Sequence, residues 1–253
     1  MKYPYYPWWL INIDQLEGSW EAQEVHTSKE KFEKERQIFE ILGEHPRIVR
    51  CLGIAEVHRG FLLEEASHGD LHGYMKNHGK DMDMSLRLKW RSQAVEAIEF
   101  IHKHNVHHFD MSPYNMLVHA DSNNDLNLLL CDFGFSGIGD KKHACGHTPG
   151  FFDPEWTISP VYQDLFGLAS IFYLIMTGSY PYADVMQNDT TEEADAVLHL
   201  IRWERKFPSV DEIPGGSVIL NAWQRVYPDA TALIQDQDRI FNYLKLSPGG
   251  GQP

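Results

Sequence analysis

The sequence predicts an α+β fold in which short strands gather near the start and helices fill most of the remainder. Two apolar runs of strand length, Ile48–Leu52 and Gly60–Glu65, follow a helical stretch at Thr27–Leu42. From Ser85 to Leu246, long stretches carry helical apolar spacing. Between them, Met116–Val118 and Leu126–Cys131 have strand length and form one further hairpin, bracketed by loops that carry Asp110, Asn115 and Asp132.

At 253 residues, 43% hydrophobic and 12% aromatic, the chain can bury a real core, as one large domain or as two lobes sharing a cleft. Its formal charge of −14, from 36 acids against 22 bases, has no long basic stripe to offset it, which argues against nucleic acid and anionic membranes as partners. Cys51, Cys131 and Cys145 lack metal or pairing spacing, which fits a reducing, cytoplasmic compartment. The apolar run Leu165–Met176 is too short to span a bilayer and reads as a buried helix. Pro4 and Pro7 interrupt Met1–Ile13, so neither a signal peptide nor an anchor is expected there. His102, His104, His107 and His108 lack the i, i+4 spacing of a helical metal site and read as satisfied or solvated side chains.

Met1–Trp20 is aromatic and Pro-rich, without a clean period. Thr27 or Ser28 is a suitable N-cap for the helix Thr27–Leu42, whose apolar side carries Phe32, Ile38, Phe39 and Leu42. Gly43 closes it, and Glu44-His45-Pro46 turns the chain into the strand Ile48–Leu52. Asp70 can cap a short helix, Leu71–Lys76. Ser85–His104 is a long helix with Leu86, Leu88, Trp90, Ala94, Ala97, Ile98 and Ile101 on its apolar face. Ser136–Ala144 has few anchors and is expected to be mobile. Thr191–Lys206, Ser217–Val226 and Ala230–Leu246 complete the helical part, with Trp203 and Trp223 expected as core anchors. With so few strands ahead of them, Phe39, Ile48, Leu52 and Leu62 are expected to be short of cover.

The chemistry concentrates in His107–Asn115 and Asp132-Phe133-Gly134. Asp110 can orient a hydroxyl, while Asn115 and Asp132 offer hard oxygen ligands to Mg²⁺. Asp, then Asn five residues on, then Asp-Phe-Gly across a hairpin resembles the catalytic and metal-binding loops of the eukaryotic protein kinase family, of Ser/Thr-like type. Glu44-His-Pro-x-Ile-Val49, the end of the activation segment at Cys145–Glu155 and the helix Asp164–Gly178 carry the same resemblance. It implies a protein kinase-like two-lobed fold, with a truncated or degenerate small β lobe and a mainly helical large lobe. The divisions are an atypical segment 1–26, a partial small lobe 27–65, a large lobe 66–247 and a flexible tail 248–253.

By the same resemblance the cofactors are ATP and Mg²⁺, and the partner is a protein, as substrate or docking partner. Asp110, Ser112 and Asn115 stand at catalytic positions, and Asn115 and Asp132 at metal positions. Leu63, Glu64, Ala66, Asp70 and Leu117 stand at cofactor-binding positions. Thr148 would meet Asp110, Asp164 would accept main-chain hydrogen bonds from the catalytic loop, and Arg225 lies in the neighbourhood of the usual partner of Glu155. The chain departs from the pattern in three places. No Gly-rich loop or strand lysine is visible, since only Gly18 precedes Gly43 and only Lys2 precedes Lys29. Glu35, the helix acid that would pair with that lysine, therefore reads as solvated. Phe109 replaces an arginine, and Ser112 replaces the lysine that neutralises a transferring phosphoryl group. Three readings stay open: Mg-ATP-dependent phosphoryl transfer to Ser or Thr, a pseudokinase acting as a protein-interaction module, and an N-terminally incomplete kinase.

Overall fold

The computed structural model describes residues 20–55, 60–139, 148–155 and 158–246, with side chains from 27 to 242 within those ranges. Met1–Ser19, the tail 248–253 and most of the segments read as Ser136–Ala144 and Cys145–His147 lie outside the described residues.

The first element is α1 (Trp20–Leu42), which starts earlier than the predicted Thr27. Glu21-Ala22-Gln23-Glu24 are strong helix formers, so neither Thr27 nor Ser28 is needed as a cap, and Ser28 is buried within the helix. Its apolar side is as expected: Phe32, Ile38, Phe39 and Leu42 are all buried. Strand β1 (Cys51–Ala55) pairs antiparallel with β2 (Gly60–Leu63). Phe61 of β2 stacks on Phe32 at 4.7 Å and lies 5.3 Å from Phe39.

β1 begins later than the predicted Ile48 because residues 47–49 pair elsewhere. Val49 N–H donates to the Leu130 carbonyl (2.9 Å), and Leu130 N–H donates to that of Arg47 (2.8 Å). The small lobe is thereby stitched to the large one. Ile48 and Phe39 are covered after all, and Leu62 is half-buried. Leu52 is not, at 57% exposed, and Ile54 shares its exposed face at 40%.

In the large lobe, α2 (Leu71–His78) and α3 (Met84–Lys103) are capped by Asp70 and Asp83. α3 buries Trp90, Ala94, Ala97, Ile98 and Ile101 of its predicted apolar face, leaves Leu86 and Leu88 half-buried, and buries two arginines besides. Arg87 donates to the carbonyls of Ile175 and Gly79, and Arg91 to that of Pro214 (2.9 Å) while lying over the rings of Phe172 and Phe241. These carbonyls satisfy most of the buried guanidinium N–H groups, whereas among the described residues Arg91 Nε has no partner. Strand β3 (Val106–His107) pairs with β6 (Gly137–Ile138), and β4 (Met116–Ala120) forms the expected hairpin with β5 (Leu126–Leu130). The start of the segment expected to be mobile is thus held, and Ser136 is fully buried with its hydroxyl on the His108 carbonyl (3.2 Å).

Next, α4 (Pro160–Thr177) is buried nearly all round and ends at Gly178 in the left-handed region. α5 (Thr191–His199) opens with a capping box and runs into a π-helical turn, Leu200–Glu204. That wider turn shifts the side-chain register. Ile201 takes the buried position, and Trp203 is left 69% exposed, not a core anchor. α6 (Gly216–Trp223) and α7 (Ala230–Leu246) follow; Trp223 is fully buried, with its indole N–H on the Ser170 hydroxyl (2.9 Å). Among the described residues no helix is long and apolar enough to cross a membrane.

Two acids lock the helical lobe around its loops. Asp153, 1% exposed, takes Arg205 (3.0 Å) and Arg225 (2.7 Å) on one carboxylate oxygen and the Glu155 N–H (3.0 Å) on the other. Arg225 thus pairs with Asp153. Asp164, on α4, is completely buried and accepts from His108 N–H (2.8 Å), Phe109 N–H (2.8 Å) and the His102 imidazole (2.9 Å). Burial opposes its ionisation, but the hydrogen bond from His102 and the charges of His102, His108 and His107 hold the carboxyl below its ordinary range. Close by, a Cβ on Gly167 would meet the Met111 Cβ at 2.5 Å and the Phe151 carbonyl at 2.7 Å, so only glycine lets α4 approach the catalytic loop.

Two outcomes are expected. The paired Leu52 and Ile54 on a two-stranded sheet favour self-association, so sedimentation velocity should show concentration-dependent growth that Leu52→Lys reduces; a sharp monomer at high concentration contradicts this. The depressed carboxyl of Asp164 contributes stability that is complete above its unfolded value of about 3.9 and is lost as pH falls through the lower folded value. Asp164→Asn should therefore lower stability near neutral pH and flatten the acid limb of the stability–pH curve, read by urea unfolding from pH 2 to 7.

Candidate active site

Strand β3 delivers the chain to the loop 108–115, and Asp164 fixes the turn by which it enters. Phe109 adopts φ 61°, a left-handed conformation costly for a bulky side chain, and its N–H is one of those that Asp164 holds. The arginine usual here has given way to a side chain that is 5% exposed. His108 is fully buried, with Nε2 on the Cys131 carbonyl (3.0 Å) and Nδ1 accepting from Asp110 N–H (3.3 Å). Its role is to tie the two functional loops together.

The structure brings Asp110 and Asn115 into direct contact. The Asn115 amide nitrogen donates to the Asp110 carboxylate (2.9 Å) and carbonyl (2.7 Å), which leaves the amide oxygen as the acceptor available to a cation. Asn115 is buried, and its carbonyl accepts from Cys131 N–H (2.9 Å), the residue before Asp132. Asp132 has φ 62°, and one of its carboxylate oxygens accepts from Gly134 N–H (3.1 Å). A hard-oxygen donor set of carboxylate and amide suits Mg²⁺. Ser112 is only 3% exposed, and its carbonyl accepts from Asn115 N–H (3.1 Å). It shapes the loop and brings no charge to it.

Glu35 corrects its solvated reading. It is 4% exposed and accepts from Phe133 N–H (3.2 Å). Phe39, one helical turn on, meets the Phe133 ring edge-on at 5.4 Å. The acid thus braces the Asp-Phe-Gly turn directly. The spacing from the His-Pro turn located Glu35 in the sequence, but its burial against a main-chain N–H had no local signal.

At the expected hinge, Leu63 is half-buried at the end of β2, and Glu64 N–H donates to the Arg50 carbonyl (2.9 Å). Among the described hydrogen bonds none uses the Glu64 carbonyl or the Ala66 N–H, the main-chain pair that an adenine edge needs. The Asp70 carboxylate caps α2 through Gly73 N–H (2.7 Å), so capping engages one of its oxygens. Asp70 also bridges to Leu117, which brings β4 beside the hinge segment. The Thr148 carbonyl accepts from Phe151 N–H (3.0 Å), and no described contact joins Thr148 to Asp110.

Among the described residues, His102, His107 and Asp164 have ligand atoms within 4.8 Å of one another. Their grouping is explained by the anchoring of the loop, with His107 Nδ1 4.0 Å from the acid that His102 bonds. The two arginines on Asp153 were the other feature hidden in the sequence; an acid where the family pattern has alanine was the one available sign.

Comparison with known proteins agrees with this geometry. The family described as the protein kinase domain matches residues 19–237. A probable myosin light chain kinase of Dictyostelium discoideum is 28% identical over 161 residues, which cover 60% of this chain and 50% of that protein. The chain thus spans half the length of that relative. With the match extending over most of the sequence and the loops arranged as described, the chain belongs to the protein kinase family.

Proposed function

We propose that this domain transfers phosphate from Mg-ATP to Ser or Thr hydroxyls of a protein. The observation that carries the reading is the coupling of Asp110 to Asn115 on a loop pinned by Asp164. Asp110 is half-buried and would accept the proton of the attacking hydroxyl. Asn115 and Asp132 would hold the metal through their oxygens. Glu64, Ala66, Leu63 and Leu117 would frame the base, and Asp70 would reach the ribose with the oxygen not used in capping. Mg-ATP bound there supplies the transferable phosphoryl group and the charge neutralisation that phosphoryl transfer needs.

Ser112 favours slow chemistry. A cation at a developing charge in a water-poor site is worth roughly 10²-fold or more in rate, and this loop has none. The same observation supports a second reading, a pseudokinase whose fold serves protein interaction.

Two measurements separate them. The visible pattern lacks several charge-assisted hydrogen bonds to phosphate, each worth about 1.5–3 kcal/mol, so Mg-ATP should bind orders of magnitude more weakly than in a complete site. Calorimetry should show weak binding that Asp132→Asn removes, whereas micromolar binding contradicts this account. Incubation with Mg-ATP and a Ser/Thr acceptor peptide should give slow phosphate incorporation. Asp110→Asn should abolish it and Ser112→Lys should raise it. Mg-ATP binding without incorporation, even with lysine at position 112, would replace transfer with the docking reading.

A further inference from the structure

Of the rings in the loop 108–115, those of His108 and Phe109 are buried and that of Tyr114 is 49% exposed. The exposed ring does not project loosely. It stacks on the imidazole of His72 in α2, with centroids 4.6 Å apart and planes 28° from parallel. His72 is fixed in turn: its N–H donates to the Pro113 carbonyl (3.2 Å), and its Nδ1 is hydrogen-bonded to the Tyr180 hydroxyl (2.5 Å). Tyr180 meets the buried Phe151 ring edge-on at 5.6 Å. The row Phe151, Tyr180, His72, Tyr114 therefore runs from the turn 148–152 to the loop that bears Asp110. Its first three members are buried or half-buried behind the fourth.

The far end of the row is held as firmly. The Ser170 hydroxyl donates to the Gly150 carbonyl (2.5 Å) and accepts from the Trp223 indole N–H (2.9 Å). A single exposed tyrosine is ordinary on a protein surface. This one has a fixed backing, so its ring face is offered with little ordering left to do on binding. Its place matters too. The Asn115 amide touches the Asp110 carboxylate at 2.9 Å, and Tyr114 is the residue before Asn115. An acceptor hydroxyl has to come within hydrogen-bond reach of Asp110, and its chain advances at most about 3.3–3.6 Å per residue. Residues up to about three away from the acceptor therefore sweep roughly 10 Å around Asp110. That distance also covers the path from the Asp110 carboxylate through Asn115 to the Tyr114 backbone.

What the ring would receive follows from the partners around it. Asp110 is the one acid in the loop 108–115, and it is engaged by Asn115 and reserved for the acceptor proton. Asp70 gives one oxygen to Gly73 N–H, and the other is assigned to the ribose. A cation over Tyr114 would thus find no free acid, and the imidazole behind the ring supplies none. The surface on offer is an aromatic face, which favours a second ring, offset-stacked or edge-on. We propose that Tyr114 is a specificity-determining residue that receives an aromatic side chain of the acceptor protein, carried within about three residues of the hydroxyl. The inference rests on the reading of Asp110 as the group that meets that hydroxyl.

The test uses the full chain and its variants Tyr114→Phe, Tyr114→Ala and Tyr114→Glu. Peptides with a central serine in an Ala–Gly background carry Phe, Arg or Ala at one of the three positions on either side. Binding is followed to millimolar concentration by NMR shift perturbation, and phosphate incorporation is measured in parallel. In the wild-type chain, phenylalanine at one of these positions should raise affinity about three- to ten-fold over alanine. Tyr114→Phe should keep that gain and Tyr114→Ala should erase it. Tyr114→Glu should pass the gain to arginine, a change of preference that damage to the loop would not produce. Equal affinity for the Phe and Ala peptides in the wild type overturns the proposal. So does an arginine preference there, or a gain that survives Tyr114→Ala. Failure of the transfer reading is distinct: Tyr114-dependent binding of Phe peptides without phosphate incorporation would end that reading and leave the aromatic surface standing.

Discussion

The loop that carries Asp110 and Asn115 depends on one buried carboxylate. Asp164 sits in a helix that is buried nearly all round, where an isolated charge would be untenable. It is stable there because two main-chain N–H groups and an imidazole converge on it. The same three bonds hold Phe109 in its left-handed conformation and place Asp110 and Asn115 against each other. Helix, loop and acid are mutually dependent, and Gly167 provides the closeness that their contact requires.

The small lobe follows a different logic. Its described helix, α1, covers Phe61, braces Phe133 and sets Lys31 over the Phe135 ring. Residues 47–49 then fasten this lobe to β5 through main-chain hydrogen bonds. The Asp-Phe-Gly turn is held from both lobes, by His108 on the Cys131 carbonyl and by Glu35 on the Phe133 N–H.

Local patterns were legible in the sequence where local physics decides them. α7, the hairpin β4–β5, the cap Asp70 and the apolar face of α3 all follow from periodicity or capping. The loop bearing Asp110 and Asn115 was equally plain, because its residues are close in the chain. Features that depend on distant partners were not. Glu35 looks solvated until Phe133 N–H, 98 residues away, arrives beside it. Trp203 looks like an anchor until a π-helical turn rotates it outward. β1 starts late because β5 takes residues 47–49, a competition that no local window contains.

Asp153 has a consequence for how the lobe comes together. Its bond to Arg225 closes a span of 72 residues, and the one to Arg205 a span of 52. Closing loops of that length has an entropic cost that grows only slowly with length but must be met before the contact rewards it. Both arginines adopt positive φ, Arg205 at 49° and Arg225 at 62°, each just past the end of a helical element. The carboxylate therefore ties residues 153–155 to the chain on both sides of α6, so that their placement depends on the docking of both flanks.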